Sequence, residues 1–494
     1  MTRRSLPLLA LLLLFNATAS ALDPVLVVTP RAQVVPASAV NRPFLAAAQA
    51  ARAVNLTARG YVESELRISG RANVYDGAPT GDAAKLRVAG VPYVTRLLVR
   101  QPGDAARFSG RVIVELLDAA DGYDTAPLWG LSWEYFTRRG DAWVGVTVSP
   151  AAAAALRRFD NVRYEAISLG LPQTQNCGNA NPDAGGLAWD VIAQAGALLR
   201  SSSKENPLLA LNPLRFIAAG YGLGGSYLRT YANALHAWQR LGDGAPIFDA
   251  YLDVAAFTPV PIDPCAPAAS EVQAQVAPRD VPYVRVLTES AAAATAALRE
   301  DSDEPGDVFR VYQIAGMGRL GAQAAGQPAA ADLKIAGQAS TAGASPAEGW
   351  CREGESSLAS AFAIDAIWQQ LDELLVHQLP MNKEPRFETD ANGMVRDEAG
   401  NVRGGWRLPQ IEVPIASYRG SSTPRTGDAH ALQVCSATPS AQPMSVAALK
   451  ARYGSRAEYV RRYNAAVDEA LRQRRVVAED VAALKALAQR APAF

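Results

Sequence analysis

Short apolar runs alternate with helical patterns along the middle of the chain. Runs rich in β-branched, leucine and aromatic residues predict six strands, at residues 111–117, 142–148, 214–219, 250–257, 283–287 and 308–315. Between them, apolar residues at helical spacing predict helices near residues 129–139, 189–201 and 227–241. Near-continuous apolar strands separated by helices are typical of parallel sheets covered on both faces. The pattern predicts an α/β fold with a mostly parallel central sheet flanked by helices.

The pattern changes on either side of this region. Residues 60–100 carry turn signals and predict two or three strands, whereas an Ala-, Gly- and Gln-rich stretch predicts a mobile insertion. A helix is expected at residues 356–379, then an extended segment, and helices again from Ser445 onward. We expect three parts in chain order: a core at about 60–321, the insertion at 322–349 and a helical and extended C-terminal extension at 350–494.

The first 21 residues have the pattern of a secretory signal. Two arginines precede an apolar stretch at residues 6–15, and Ala19-Ser20-Ala21 supplies a cleavage site of small residues. That stretch is well short of the roughly 20 residues that span a bilayer, and no later stretch is long and apolar enough. We expect a signal peptide over residues 1–21, a secreted or periplasmic protein without a membrane span, and one mature domain over residues 22–494.

The charge balance excludes one class of partner. The sequence has 48 basic and 48 acidic side chains, and loss of Arg3 and Arg4 with the signal leaves a net charge of −2. Nucleic acids and anionic membranes attract basic surfaces, whereas the charges here are interspersed without long runs of one sign. We therefore expect no nucleic-acid partner.

Four cysteines are far apart in the chain: Cys177, Cys265, Cys351 and Cys435. Because an exported protein meets oxidising conditions, we expect two structural disulfides. Of the three possible pairings we favour Cys265 with Cys351 and Cys177 with Cys435. No Cys-x-x-Cys or His-x-x-x-His spacing occurs, so the sequence indicates neither zinc nor a dithiol redox centre, and we expect no cofactor.

The most informative stretch is residues 214–238, LRFIAAGYGLGGSYLRTYANALHAW. A buried strand ends there in a Gly-rich turn that leads directly into a long helix. This arrangement is the setting of the G-x-S-x-G nucleophile elbow, in which a serine projects over the sheet and N–H groups at the helix start stabilise an oxyanion. Here the frame reads GYGLG from Gly220, so Gly222 stands where that chemistry needs serine.

Two other interpretations of the same glycines stay open. Gly220, Gly222 and Gly225 fit the G-x-G-x-x-G fingerprint of NAD(P)-binding proteins, and acids at Asp243 and Asp249 lie near the expected spacing. That fingerprint usually follows the first strand of its unit, whereas several strands precede this one. The remaining interpretation is a tight structural turn without chemistry.

Several blocks of the sequence resemble the exported bacterial alpha/beta hydrolase domain family. That family carries a block similar to GWSQTGGYLRTY at the turn, where this chain has GYGLGGSYLRTY at residues 220–231. Further similar blocks are LAWD at 187–190, CAP from Cys265, REDSD at 299–303, RDEAGNVRGGWRLP at 396–409 and the helices of 447–491. The resemblance extends over most of the mature chain. It implies an α/β-hydrolase fold and the hydrolysis of ester or acyl groups.

The resemblance also implies where a catalytic triad would lie. The nucleophile position is Gly222, the acid position is Glu289 at the end of a predicted strand, and the histidine position is Arg319. The family has a block similar to AGTSHAD at this last place, where the chain reads AGMGRLG. The chain order nucleophile, acid, histidine is that of α/β-hydrolases. Two of the three positions are therefore substituted.

The oxyanion site and pocket are expected at Leu223, Asp118 and Ala119. Leu223 follows the nucleophile position, and the other two lie in the loop after the first core strand, which supplies the second oxyanion donor in this fold. An active carboxylic-ester hydrolase with displaced groups is the main alternative function, with Asp118, Asp121 or Tyr123 of the same loop in catalytic roles.

The two substitutions remove ordinary serine catalysis. Glycine has no nucleophilic side chain, and arginine stays protonated at neutral pH, so it cannot accept a serine proton. We expect Arg319 to form a salt bridge with Glu289. The alternative role for Arg319 is a cationic contact to the carboxylate of a ligand.

No other serine or histidine is expected to replace the missing groups. Ser226 lies one helical turn past Gly222, where its hydroxyl is expected to meet a backbone carbonyl. His236 is too far along the helix, His377 ends a predicted helix and His430 lies in a predicted loop. The sequence therefore predicts a binding protein for a small-molecule ester or acyl ligand, from the lineage of a secreted esterase.

Overall fold

A ten-stranded mixed sheet with helices packed against it forms the centre of the protein in a computed structural model. The structure describes residues 25–38, 41–76, 84–171, 186–256, 258–263, 275–294, 298–320, 324–338 and 348–494. The strands are β1 (Val25–Leu26), β2 (Arg31–Val35), β3 (Tyr61–Asp76), β4 (Lys85–Pro102), β5 (Arg111–Leu116), β6 (Ala142–Val146), β7 (Arg215–Tyr221), β8 (Gln239–Arg240), β9 (Ala250–Val254), β10 (Tyr283–Thr288), β11 (Ser302–Glu304), β12 (Asp307–Ile314), β13 (Gly354–Glu355), β14 (Thr389–Asp390), β15 (Gly393–Met394), β16 (Ala416–Arg419) and β17 (Ser440–Pro443). The α-helices are α1 (Pro127–Arg139), α2 (Pro150–Phe159), α3 (Ala188–Arg200), α4 (Gly222–Ala234), α5 (Glu289–Ala294), α6 (Ala330–Ile335), α7 (Ala361–His377), α8 (Pro409–Glu412), α9 (Ala429–Ala437), α10 (Val446–Tyr453), α11 (Arg456–Arg472) and α12 (Val481–Ala488). Within these described ranges, no helix has the length and apolar character needed to cross a bilayer.

The strand order in the large sheet is β11-β12-β10-β9-β7-β5-β6-β4-β3-β2. The strands from β12 to β6 run parallel to one another. Antiparallel strands close both edges, with β4, β3 and β2 at one side and β11 at the other. Every residue of β5, β6 and β9 is buried, as strands covered on both faces require. The predicted α/β architecture, with a largely parallel sheet flanked by helices, is confirmed.

The backbone N–H groups in the first turn of helix α1 donate to a buried carboxylate. Pro127 occupies the first turn, and Glu115 of β5 accepts the backbone N–H groups of Leu128 and Trp129, both at 2.9 Å. The indole N–H of Trp143 donates to the same carboxylate at 2.8 Å. Burial raises the pKa of Glu115 to about 7, and the three donors act against that rise. These bonds join the start of α1 to the middle of the sheet.

The predicted limits of the six core strands lie within three residues of the observed ones, but helix α4 differs at both ends. It begins at Gly222 rather than near residue 227, because the glycine-rich turn is itself the first turn of the helix. It ends at Ala234 rather than near 241, because the chain turns back there and β8 pairs in parallel with β1.

Part of the Ala- and Gly-rich segment at 322–349 is packed against the core. Leu333 of α6 is buried, and the carbonyl of Gly326 accepts the N–H of Ala126, which precedes α1, at 2.8 Å. Residues 324–338 of the predicted insertion therefore contact the core, and their mobility stays a prediction. Small residues allow close packing as readily as they allow mobility, and composition does not separate the two.

One disulfide joins Cys351 to Cys435, with the Cα atoms 5.6 Å apart. The favoured pairing was wrong, since it assigned these two cysteines to Cys265 and Cys177, which lie outside the described residues. Backbone hydrogen bonds bring the correct pair together, because residues 350 and 352 bond to residues 425 and 423, just before α9. Both cysteines belong to the C-terminal extension, in which β13, β17 and β16 also form a small antiparallel sheet.

Replacement of both Cys351 and Cys435 by alanine is expected to lower the free energy of unfolding by about 2–4 kcal/mol, because the bond closes a long loop in the unfolded chain. Urea unfolding of the oxidised protein and of the double variant measures this difference. Amide hydrogen exchange in α9 is expected to become faster in the variant, while α3, far from the bond in sequence, serves as the internal reference. Equal stability of the two proteins would contradict a structural role for this disulfide.

Candidate functional site

The chain passes from strand to helix at Gly222 without an intervening loop. Strand β7 ends at Tyr221, and α4 begins at the next residue. Gly222 has a φ of +52°, in the left-handed region that residues with a side chain enter only under strain. The predicted nucleophile position therefore has the backbone of a sharp strand-to-helix turn and carries no side chain.

Three further glycines allow α4 to lie directly against the sheet. A Cβ atom on Gly224 would lie 2.1 Å from the carbonyl oxygen of Leu116, and one on Gly220 would lie 2.4 Å from the backbone of Gly224. A Cβ atom on Gly225 would lie 2.9 Å from Gly220 O and from the Cβ of Ala256. Closely packed interiors do not accommodate such contacts. The packing of the turn alone therefore requires these three glycines.

The side chain of Asp118 fills the space beside Gly222. Asp118 follows β5, and its backbone N–H and C=O groups pair with Thr125 at 3.0 and 2.8 Å. Its Oδ1 accepts the backbone N–H groups of Leu223 at 3.0 Å and Ala120 at 3.2 Å. A Cβ atom on Gly222 would lie 2.8 Å from Oδ2 of Asp118. The carboxylate therefore takes the N–H group that follows position 222 and part of the volume that a side chain at 222 would need.

The environment of Asp118 raises the pKa of its carboxyl group. The residue is only 8% exposed, and burial raises its pKa to about 6. The positive charge of Arg319 and two backbone N–H donors oppose this rise, whereas the charge of Asp121 adds to it. Burial also raises the pKa of Tyr123 to about 12, with contributions from both aspartates. Asp118 is thus ionised at neutral pH and takes up a proton as the pH falls through about 6.

Glu289, the predicted acid position, is engaged by the C-terminal extension. It directly follows β10, is buried, and its Oε2 accepts the backbone N–H of Gly316 at 2.7 Å. Its Oε1 accepts Nη2–H of Arg396, also at 2.7 Å. The predicted salt bridge between Glu289 and Arg319 was wrong, because the extension brings Arg396 to this carboxylate.

Arg319 lies after β12, beside the turn. Its backbone carbonyl accepts the hydroxyl of Tyr221, the last residue of β7, at 2.6 Å. Its side chain lines a cavity, and its charge stabilises the ionised form of Asp118. The predicted histidine position is therefore electrostatically coupled to Asp118.

An open cavity of about 580 Å³ lies over the turn. Leu223, Ala255 and Ala256 belong to its apolar wall, and Arg319 and Asp121 bring opposite charges to it. The volume is within the range of small-molecule sites, which are typically about 300–1,000 Å³. Of the residues expected at the pocket, Leu223 lines the cavity, whereas Asp118 and Ala119 are buried and do not, and Ala120 lines it instead.

Helix α9 supplies a wall of the cavity that the sequence analysis missed. Gln433 and Ser436 of this helix line the cavity. His430 lies in its first turn and not in the predicted loop; it is exposed, and its ring centroid is 4.8 Å from that of Trp350. Asp428 accepts the first N–H groups of the helix. An aspartate before ALQVC is a helix-start signal that would have located α9.

The other candidate nucleophile and bases do not reach this site. The hydroxyl of Ser226 donates to the carbonyl of Gly222 at 3.2 Å, which confirms that prediction. His236 is buried with its Nε2 2.5 Å from Asp280, and His377 is exposed at the end of α7. Across the described ranges, no group of three His, Cys, Asp or Glu side chains is placed to hold a metal.

This chain is similar to one protein family in sequence and to several solved structures in fold. The sequence profile of a family described as alpha/beta hydrolase domain matches residues 27–486. No curated protein matches the sequence. Similar solved structures include esterase Est22, with 9% identity and a TM-score of 0.27 over 47% of this chain and 64% of that one.

Two further similar structures are also esterases. The rice cell wall degrading esterase LipA from Xanthomonas oryzae has 11% identity and a TM-score of 0.23, over 40% of this chain and 43% of that one. A cold-adapted esterase from an Arctic intertidal metagenomic library has 10% identity and a TM-score of 0.24, over 51% and 85%. The matched parts are thus less than two thirds of Est22 and of LipA. Because the family profile extends over nearly the whole sequence, this chain belongs to the alpha/beta hydrolase domain family and has the α/β-hydrolase fold.

Proposed function

We propose that this protein binds a small-molecule ligand of ester or acyl type in the cavity over Gly222 and lacks ordinary serine hydrolysis. The observation that carries the proposal is the carboxylate of Asp118, whose Oδ1 accepts the N–H of Leu223 at 3.0 Å. In a serine hydrolase the corresponding N–H group stabilises the oxyanion of the transition state. Here an oxyanion formed on a ligand would have to displace an internal carboxylate.

The residues at positions 222 and 319 support the same conclusion. Gly222 offers no nucleophile, and a guanidinium group, as at position 319, does not act as a general base. Loss of a triad nucleophile typically costs about a million-fold in kcat, roughly 8 kcal/mol of barrier. Ser226 does not restore the nucleophile, since its hydroxyl is buried and bonded to a carbonyl.

The dinucleotide-binding alternative has weaker support. Gly220 and Gly225 are accounted for by the close packing of the turn. A pyrophosphate at the start of α4 would meet the negative carboxylate of Asp118, whereas helix starts that bind phosphate leave their N–H groups open to it. Asp249, one of the acids at the expected spacing, pairs with Arg200 at 2.6 Å.

Export is a further part of the proposal. It rests on the N-terminal signal pattern, which lies outside the described residues. The disulfide between Cys351 and Cys435 supports it, because structural disulfides persist in oxidising compartments outside the cytosol. A secreted or periplasmic location is therefore proposed.

Ester hydrolysis assisted by Asp118 is a second candidate function. The observation that favours it is the pKa of Asp118, raised to about 6 by burial, which suits a general base near neutral pH. The carboxylate would take a proton from water while the water oxygen attacks the ester carbonyl, and the proton would then pass to the leaving alkoxide as its C–O bond breaks. Arg319 would stabilise the charge on the carbonyl oxygen. The bond from Leu223 N–H to Asp118 disfavours this candidate, because it occupies the oxyanion donor.

The purified mature protein is expected to give no label with a fluorophosphonate probe and no turnover of acyl p-nitrophenyl esters above the buffer rate. The reason is that no serine lies beside a base at the turn. Gel fluorescence and steady-state kinetics measure the two properties, with Ser226→Ala as the matched control. Label that disappears in this variant would identify residue 226 as a nucleophile, and label that persists would identify another serine. Either result would overturn the proposal.

The double variant Gly222→Ser/Arg319→His is expected to be labelled only slowly, because the new Cβ atom meets the Asp118 carboxylate at 2.8 Å. Adding Asp118→Ala removes this obstruction and frees the N–H of Leu223, so labelling is expected to increase about 100-fold, the typical worth of one oxyanion donor. Thermal unfolding establishes that each variant is folded. Equal labelling of the double and triple variants would show that Asp118 does not block the turn.

The pH profile of p-nitrophenyl ester hydrolysis separates the two candidate functions. Under the second candidate the rate rises as the pH passes upward through about 6, because a raised pKa leaves the base form only above that value, and Asp118→Asn lowers the rate about 100-fold. Asp121→Asn, which removes an exposed carboxylate from the same cavity, is the matched control and is expected to retain the rate on the alkaline side, with the rise moved to lower pH because the charge of Asp121 raises the pKa of Asp118. A profile equal to that of buffer alone in all three proteins would exclude Asp118 as a base.

A further inference from the structure

Three features in and next to the cavity suit an organic acid better than an ester. Arg319 lines the cavity and provides a permanent positive charge. The hydroxyls of Thr288 and Ser290 lie 3.0 Å apart, and both residues line the same cavity. Asp118 is not itself a lining residue, but its carboxylate accepts the backbone N–H groups of Leu223 and Ala120, which both line the cavity, and the charge of Arg319 acts on it. The chain thus already binds one carboxylate here, its own.

From this arrangement we infer that the ligand is a small carboxylic acid, bound as its carboxylate to Arg319, with Asp118 carrying a proton in the complex. The inference rests on the proposed ligand-binding function and names the ligand class. The cavity of about 580 Å³ accepts a short aliphatic chain or a single ring. Leu223, Ala255 and Ala256 supply the apolar surface for that part of the ligand.

The proton on Asp118 follows from the charges that surround it. Two carboxylates that share a site cannot both stay ionised, so a ligand carboxylate favours the protonated form of Asp118. Burial already favours that form. Arg319 opposes it, Asp121 favours it through charge, and Tyr123 stays neutral because its own pKa is raised to about 12.

The protonated side chain keeps its present contacts while it gains a donor. Its carbonyl oxygen still accepts the N–H groups of Leu223 and Ala120, so no buried donor loses its partner. Its O–H group then donates to the ligand carboxylate, whose other oxygen faces Arg319. Binding an acid in this way takes up one proton at neutral pH, whereas binding an ester or amide takes up none.

Calorimetric titration of the mature protein with butyrate and benzoate, against butyramide and benzamide of the same shape, tests this inference. We expect the acids to bind at least tenfold more tightly than the amides, since each pair differs in a charge-assisted bond. Above pH 6 the affinity for the acids is expected to fall about tenfold per pH unit, with uptake of one proton measured in two buffers of different ionisation enthalpy.

Matched variants assign the effect to the two side chains. Arg319→Gln is expected to weaken acid binding about tenfold or more while leaving amide binding unchanged. Asp118→Asn is expected to remove the pH dependence and the proton uptake, whereas Asp121→Asn is expected to retain both, with the pH dependence moved to lower pH because the charge of Asp121 raises the pKa of Asp118. Equal affinities for acids and amides, an unchanged pH dependence in Asp118→Asn, or no binding of any probe at millimolar concentration would overturn the inference.

The outcome is separable from that of the proposed function. Fluorophosphonate labelling of the native protein would overturn the absence of serine catalysis and leave the comparison of acids with amides intact. Equal binding of acids and amides, without labelling, would overturn the ligand class and leave the proposed binding function in place.

Discussion

The first turn of helix α4 lies in direct contact with the backbone of the sheet, and the candidate site depends on this close approach. A Cβ atom on Gly224 would lie 2.1 Å from the carbonyl of Leu116 in β5, so only glycine fits there. The approach aims the N–H of Leu223 at the loop that follows β5. Gly222, where this turn begins, has a φ of +52°. The turn is therefore a property of the packing and persists without the serine that such turns usually present.

The close approach makes the Asp118 carboxylate and a side chain at position 222 compete for one volume. Asp118 cannot withdraw through its backbone, because both of its peptide groups pair with Thr125. Its carboxylate instead accepts the N–H of Leu223, at the start of α4. Glycine at position 222 leaves room for the Asp118 carboxylate, which a side chain at 222 would contact at 2.8 Å.

The local architecture was predictable from the sequence, whereas the contacts that define the site were not. Strands such as β5 and β9 are buried on both faces and therefore leave continuous apolar runs, and glycines mark the turn at Gly222. In contrast, Leu223 and Asp118 are 105 residues apart, and Glu289 and Arg396 are 107 apart. Such pairs depend on β5 lying beside β7 and on the path of the C-terminal extension. The periodicity of apolar residues predicts neither the order of the strands nor this path. The disulfide escaped prediction for the same reason.

The charged residues around the site interact with different partners from those in an acid–histidine pair. In such a pair the acid orients the imidazole and stabilises its positive form. Here Arg396 takes the carboxylate of Glu289 at 2.7 Å, and the charge of Arg319 acts on Asp118. Glu289 is therefore in contact with Arg396 while Arg319 acts on Asp118 through charge, and the contact with Arg396 joins the end of β10 to the C-terminal extension. A histidine placed at 319 would find its expected acid engaged elsewhere, so the departure from a triad involves the whole charge network and not only the two substituted positions.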